Sequence, residues 1–355
     1  MKVQASISCF LVTVTLGIFG NCRASGNNVY EENLITVDES KLMAENLLVP
    51  FPVLKLTTKL LGKPALGNVT VTFNSYTKRN PKIPDVFDLD KNNRRSQLGY
   101  SFFDAMRSTI FVTHGWMENG KSEMCTRLCD EYLANGDVNV VVVDWHGDTF
   151  STYESAAKEV ELIGEKIALF MQYLVRNTHL DLSRVTFVGY DMGAHVMGVA
   201  SNKMVPRVNT IVGLDPPFHE FEGLEEAKKL NRGSANYVQI IHTNGGFYGS
   251  KKAVGHADFY PNSGTTQPGC YDDNICSHKR AWEYFAESIN SQTGFYGEKC
   301  LTHEHLTSLV TNPNEAIACD LGVFGKMGGH DPAHDIQGIF HLQTRAEAPF
   351  AIGKP

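Results

Sequence analysis

The sequence predicts an α/β fold, a mainly parallel sheet covered by helices on both faces. Three observations carry this. Val138–Asp144 (VNVVVVD) is an unbroken β-branched run, the pattern of a strand buried on both faces. Between Ser151 and Asn177, Val160, Ile163, Ile167, Phe170 and Leu174 recur at three- and four-residue spacing, which is one face of a helix. Short apolar strands and helical stretches then alternate from Thr109 to His242, as crossover connections require.

Taken in order, Val69 onward (VTVTFNSYT) alternates like a strand. Pro81, Pro84 and the charged stretch Asp85–Arg95 read as a surface loop. Thr109–Thr113 is a strand ending at His114-Gly115-Trp116. Ser151 and Glu154 suit a capping box for the long helix that follows Val138–Asp144. Strand Val185–Val188, helical Ala194–Ser201, strands Thr210–Leu214 and Tyr237–His242, and helical Arg280–Ile289 complete the succession. The last strand-like run is Gly338–Thr344. No internal repeat or low-complexity linker divides the chain, so residues 51–355 are expected to form a single domain, preceded by a polar, acidic arm over 25–50.

The 355 residues are 42% hydrophobic and 20% charged, which excludes disordered, collagenous and coiled-coil classes. Met1–Ala24 has the layout of a secretory signal peptide: Lys2, an apolar run from Ile7 to Phe19, and Cys22-Arg23-Ala24 before the cut. Its removal takes Cys9 and Cys22 and leaves Cys125, Cys129, Cys270, Cys276, Cys300 and Cys319. An even number of cysteines in a secreted chain implies disulfides. No later stretch is long and apolar enough to span a membrane. The mature balance is 30 basic against 39 acidic side chains, which disfavours nucleic acid as a partner. Asn68-Val69-Thr70 is a glycosylation sequon that secretion would make meaningful.

In a parallel sheet the chemistry gathers beyond the carboxyl ends of the strands. The segment Val185–Gly198 (VTFVGYDMGAHVMG) places Gly189-Tyr190-Asp191-Met192-Gly193 between a strand and a helix. Glycines two before and two after a central residue mark a nucleophile elbow, a turn too sharp for larger side chains. Esterases carry serine at its centre; here it is Asp191. Asp215, at the end of Thr210–Leu214, is placed to orient an imidazole, and His278 is the base that follows in chain order. The amides of Met192 and Trp116 would complete an oxyanion hole.

These pieces, in this order, resemble the pancreatic-lipase family, and most of all its insect members, which include short-lid phospholipases A1 and yolk proteins. The resemblance runs from about Val69 to Thr344 through THGW, NVVVVDW, VGYDMGAHVMG, IVGLDPPFHEF, VQIIHTNGG, GHADFYPNSGTTQPGC and CSHKRAWEYFAESI. It implies an α/β-hydrolase fold and a triad at positions Asp191, Asp215 and His278. It also implies a lid between Cys270 and Cys276, only five residues long: Tyr271, Asp272, Asp273, Asn274 and Ile275. The family's C-terminal β-sandwich has no counterpart in the eleven residues after Thr344, so colipase is not an expected partner. Fifteen pairings of six cysteines are open; Cys125–Cys129 and Cys270–Cys276 are local pairs, and the resemblance supports Cys300–Cys319. The family's calcium loop would fall on Glu226, Lys229, Asn231 and Ser234, of which one is a carboxylate, so no metal and no other cofactor is expected. His330 and His334 flank Pro332 and read as polar loop residues rather than ligands.

Aspartate at the elbow changes the chemistry. A carboxylate that adds to an ester carbonyl is a far better leaving group than the alkoxide, so the adduct reverts. Ester hydrolysis by the serine route should fall by about 10⁴ or more. The resemblance therefore implies an inactive homologue that binds a lipid or other hydrophobic ligand, or serves in storage or interaction. Two alternatives stand beside it: an active carboxylic ester hydrolase (phospholipase A1 or lipase) in lipid catabolism, and an Asp-nucleophile hydrolase acting at saturated carbon. In the inactive reading Asp191 simply pairs with a protonated His278 rather than binding a cation with it and Asp215.

Overall fold

The computed structural model describes residues 69–89, 94–147, 151–300 and 319–354. The expected signal peptide (1–24), the arm (25–50) and Asn68 lie outside these residues. The chain's contacts divide it into Met1–Pro52 and Val53–Pro355, and every described residue belongs to the second unit.

The described elements, in chain order, are β1 (Val69–Tyr76), β2 (Asp85–Asp88), α1 (Arg94–Gly99), β3 (Thr109–Thr113), α2 (Glu123–Asn135), β4 (Asn139–Gly147), α3 (Tyr153–Thr178), β5 (Val185–Tyr190), α4 (Met192–Asn202), β6 (Thr210–Leu214), β7 (Tyr237–Ile241), β8 (Ala257–Pro261), α5 (Asn274–Asn290), β9 (Phe295–Cys300), β10 (Cys319–Met327) and β11 (Gly338–Leu342). The described strands form one sheet in the order β10-β9-β11-β8-β7-β6-β5-β3-β4-β1-β2. From β4 to β11 the neighbours run parallel, while β1, β2, β9 and β10 add antiparallel margins. This is the α/β-hydrolase architecture the elbow pointed to.

The β-branched run explains itself in this sheet. Val141 and Val143 face the core under α3 and α4 with Phe111, Phe187 and Ile211. Val140 and Val142 face the opposite core, with Leu128 and Tyr132 of α2 and Phe285 of α5. Because side chains alternate along a strand, a strand covered on both sides needs an apolar residue at every position. The same logic makes β3, β5, β6 and β7 buried throughout.

Several expectations are corrected. The stretch read as a surface loop contains β2, an edge strand drawn in because Phe87 is buried and packs on Phe170 at 5.6 Å. The α3 cap is one residue later than expected: Thr152 Oγ1 accepts from Ser155 N at 3.2 Å, and Ser155 Oγ accepts from Thr152 N at 3.3 Å. Helix α5 begins at Asn274 rather than Arg280, because Asp273 Oδ1 accepts from Ile275 N and Cys276 N and so caps it. Strands β8, β9 and β10 lie outside the alternation read from sequence. β9 and β10 are partly polar margin strands without the continuous apolar pattern of the interior ones, while β8, though buried, carries Asp258 and ends in Pro261.

The cysteines divide three ways. Cys270 and Cys276 are bonded, with Cα atoms 5.4 Å apart. Cys300 is disulfide-bonded, and Cys319 is its partner residue across the β9–β10 ladder. The expected Cys125–Cys129 bond is absent: both thiols are free and buried on α2. Residues four apart on a continuous helix hold their Cβ atoms about 5–6 Å apart, beyond the roughly 3.5–4.5 Å a disulfide requires. Burial raises both thiols, Cys129 to about 12, so they pack as small unreactive side chains. Among the described residues no helix is long and apolar enough to cross a membrane.

Candidate active site

The chain runs from β3 to β4 on one side, then returns to β5 on the other side of β3. Connections leave in opposite directions there and open a crevice beyond the strand ends. His114–Trp116 follow β3, and Asp191 follows β5. Asp191 has φ 50° and ψ −128°, a left-handed conformation that a non-glycine residue adopts only when its surroundings enforce it. Its amide donates to Leu214 O at 3.0 Å. Both flanking glycines are required: a Cβ on Gly189 would lie 2.4 Å from Gly193 O, and one on Gly193 would lie 2.3 Å from His114 O.

The carboxylate of Asp191 lies in the expected oxyanion hole. Its Oδ2 accepts from Trp116 N at 2.9 Å, and the adjacent Met192 amide helps to hold its charge. Its Oδ1 lies 3.5 Å from His278 Nε2. On the other side of the ring, His278 Nδ1 is 2.5 Å from Asp215 Oδ2. Asp215 is fully buried, and its Oδ1 accepts from Thr243 N at 2.8 Å and Asn244 N at 3.1 Å. Thus the three expected triad positions and both expected amides meet at one point.

Both nitrogens of His278 face carboxylates, so each carries a proton and the ring is an imidazolium. Burial pushes its pKa down, but the charge of Asp191 at 3.5 Å and the hydrogen bond and charge of Asp215 prevail and raise it to about 9. Burial alone would raise Asp191; His278 and the two amides instead hold it below the usual carboxylate range. A sign follows for each limb. The imidazolium's stabilisation is complete below its ordinary value of 6.5 and is lost as pH rises through about 9. The Asp191 contribution is present above its ordinary 3.8 and is lost in acid. Urea unfolding should therefore give highest stability between these ordinary values and a fall toward pH 9. Asp191→Asn should flatten that alkaline limb; an unchanged limb would refute the pairing.

Several supporting residues were not anticipated. Gly249 is confined because a Cβ there would lie 2.2 Å from Asp215 Oδ1. Glu118 Oε2 accepts from Gly115 N at 3.2 Å, and Asp144 Oδ1 accepts from Gly120 N at 3.0 Å, so two carboxylates hold the loop that carries Trp116. His114 donates through Nδ1 to Gly115 O at 2.8 Å and stacks on Trp145 at 4.5 Å. The DW and THGW motifs carried this signal, without showing which atoms meet.

The expected lid is a tight cap over little. Tyr271 and Ile275 are exposed, Asn274 and Ile275 belong to the first turn of α5, and Asn274 Oδ1 accepts from Asn244 Nδ2 at 3.0 Å. At the calcium-loop positions the polar atoms close on their own turn. Lys229 Nζ donates to Glu222 O, Asn231 Oδ1 accepts from Gly233 N, and Asn231 N donates to Ser234 Oγ. Glu226 lies 4.0 Å from Lys229. His334 Nε2 pairs with Thr210 Oγ1 at 2.9 Å, while His330 packs on Tyr132. A groove of about 650 Å³ lined by Arg79, Phe102, Met106, Arg107 and Tyr173 shares no lining residue with the Asp191 site.

Comparison with known proteins gives the chain its relatives. A family model described as Lipase matches residues 53–350. Inactive pancreatic lipase-related protein 1 of Mus musculus is 28% identical, over 84% of this chain and 66% of its own length. Pancreatic triacylglycerol lipase of Myocastor coypus is 29% identical, over 74% of this chain and 61% of its own. The Homo sapiens triacylglycerol lipase is 28% identical, over 80% and 65%. The chain thus spans just under two thirds of the length of these relatives.

Proposed function

This chain belongs to the lipase family, and we propose that within it the protein has lost carboxylic ester hydrolysis and works by binding a lipid or other hydrophobic ligand, in storage or interaction. One geometry carries the reading: the Asp191 carboxylate takes the Trp116 amide that a developing oxyanion needs and lies against the Met192 amide, and its charge favours a protonated His278. An ester carbonyl meets a filled hole, a base that already holds its proton, and a nucleophile that is expelled more readily than the alkoxide. Relatives of almost equal identity include both an inactive lipase-related protein and triacylglycerol lipases. Overall similarity therefore does not separate the outcomes, and the reading rests on the chemistry of residue 191.

The proposal extends to a secreted protein processed after Ala24 and glycosylated at Asn68, on the insect yolk-protein side of the family. Exposed Met117, Phe247, Tyr271 and Ile275 supply apolar surface for such a ligand. The test is an assay of purified protein on short-chain esters, phospholipids and triglycerides, beside native mass spectrometry. Expected are no turnover above buffer and a co-purifying or added lipid bound to the chain. Turnover that disappears in His278→Ala would overturn the loss of activity. Failure to retain any lipid would overturn the ligand role.

A further inference from the structure

We propose that Asp191 is a nucleophile toward saturated carbon and that this site opens apolar epoxides to diols. The inference rests on the loss of the serine route argued above, and not on the ligand-carrying role. Attack on a carbonyl fails because the carboxylate is expelled again. Attack on an epoxide carbon does not revert in that way: the bond that breaks is the strained ring C–O, and the product is an alkyl ester.

Such a carboxylate needs one oxygen held as the future ester carbonyl and the other left to attack. Oδ2 is held at 2.9 Å by Trp116 N, and the Met192 amide adjoins the same carboxylate, so these amides are placed to bind the acyl oxygen through both steps. Oδ1 faces His278 Nε2 at 3.5 Å, longer than a hydrogen bond. Enzymes of this chemistry need a proton donor for the opening ring, which a five-residue lid cannot bring. Here the donor is already beside the nucleophile, because His278 lies between two carboxylates and carries both ring protons.

The steps balance. Oδ1 forms a bond to the epoxide carbon, the ring C–O bond breaks, and the ring oxygen takes the Nε2 proton of His278. The result is a hydroxyalkyl ester of Asp191 and a neutral imidazole, still oriented by Asp215. That imidazole takes a proton from water, whose oxygen adds to the Asp191 carboxyl carbon while the amides hold the oxyanion. Collapse expels the diol oxygen, which picks up the proton of the added hydroxyl. Asp191 is again a carboxylate and His278 again an imidazolium, and one water has been consumed.

Charge selects the substrate class. Asp191 and Asp215 outnumber the single imidazolium, and Glu118 adjoins them, so a departing halide would be repelled. An epoxide oxygen leaves neutral once it is protonated. The rim is apolar and aromatic: Tyr248 is half exposed with its ring 5.5 Å from His278, and Phe247 and Met117 are exposed. That favours an alkyl or aryl epoxide over a polar one.

The test incubates the intact chain with styrene oxide and with 1,2-epoxyoctane in ¹⁸O-water under single-turnover conditions. Expected are diol without label and one ¹⁸O in the peptide containing Asp191. His278→Gln should slow diol formation by about 100-fold or more, the scale of a lost general acid and base, and Asp191→Asn should abolish it. Label in the diol instead of Asp191 would overturn the nucleophile. Wild-type protein that yields neither diol nor an Asp191 adduct would overturn the inference outright. If the same preparation's Asp191→Ser form hydrolyses esters, the loss-of-serine reading still stands.

Discussion

Asp191→Ser should raise hydrolysis of short-chain esters by about 10⁴-fold over the wild type, the scale on which a triad nucleophile acts. The reasons lie in what the substitution removes as much as in what it adds. The carboxylate leaves the oxyanion hole, so Trp116 N and Met192 N are free for a developing oxyanion. His278 loses the charge of Asp191, which helps to hold its pKa near 9, and moves back toward the range of a neutral base. Asp215, 2.5 Å from Nδ1 and fixed by Thr243 N and Asn244 N, already orients the ring. The turn itself is unchanged, since Gly189 and Gly193 are present. The measurement is kcat/KM on p-nitrophenyl butyrate for Asp191→Ser and for Asp191→Ser/His278→Ala. A gain that the second substitution abolishes fits the geometry. A folded serine variant with no gain would mean that the site lacks something beyond its nucleophile.

Much of this site was legible in the sequence because its parts are backbone devices. Gly189 and Gly193 announce the elbow, and strand ends announce where Asp215 and His114 must lie. What the chain could not disclose is side-chain direction. Asp191 at an elbow reads equally as a stranded acid, a nucleophile or half of an ion pair; only its Oδ2 on Trp116 N distinguishes a filled hole from an empty one. The sequence pattern starts the helix after His278, because the signal for its true start is one acid, Asp273, inside a disulfide loop. Cys125 and Cys129 misled for a related reason: proximity in sequence suggested a bond that helical geometry forbids. The β2 edge was hidden by its charged and proline-rich surroundings, with Phe87 alone facing inward.

Phe170→Ala should cost about 3–5 kcal/mol of stability, the range for deleting a buried aromatic side chain. Phe170 is 1% exposed and lies on the α3 face that the helical periodicity identified. Its ring stacks on Phe73 of β1 at 3.8 Å and meets Phe87 of β2 at 5.6 Å, Phe111 of β3 at 6.3 Å and Tyr173 at 6.3 Å. None of these four partner rings belongs to the triad positions or to the residues of the oxyanion amides. The loss should therefore fall first on the antiparallel margin, which is held by the β1–β4 ladder and by this aromatic cluster. A domain's whole stability is only about 5–15 kcal/mol, so the urea midpoint should drop steeply with little change in slope. Phe170→Leu, which keeps part of the volume, should lose less. Made in the Asp191→Ser background, Phe170→Ala should keep its esterase activity at low temperature while its midpoint falls. Activity lost while the protein is still folded would mean that the margin and the triad are coupled, contrary to the separation of their contacts.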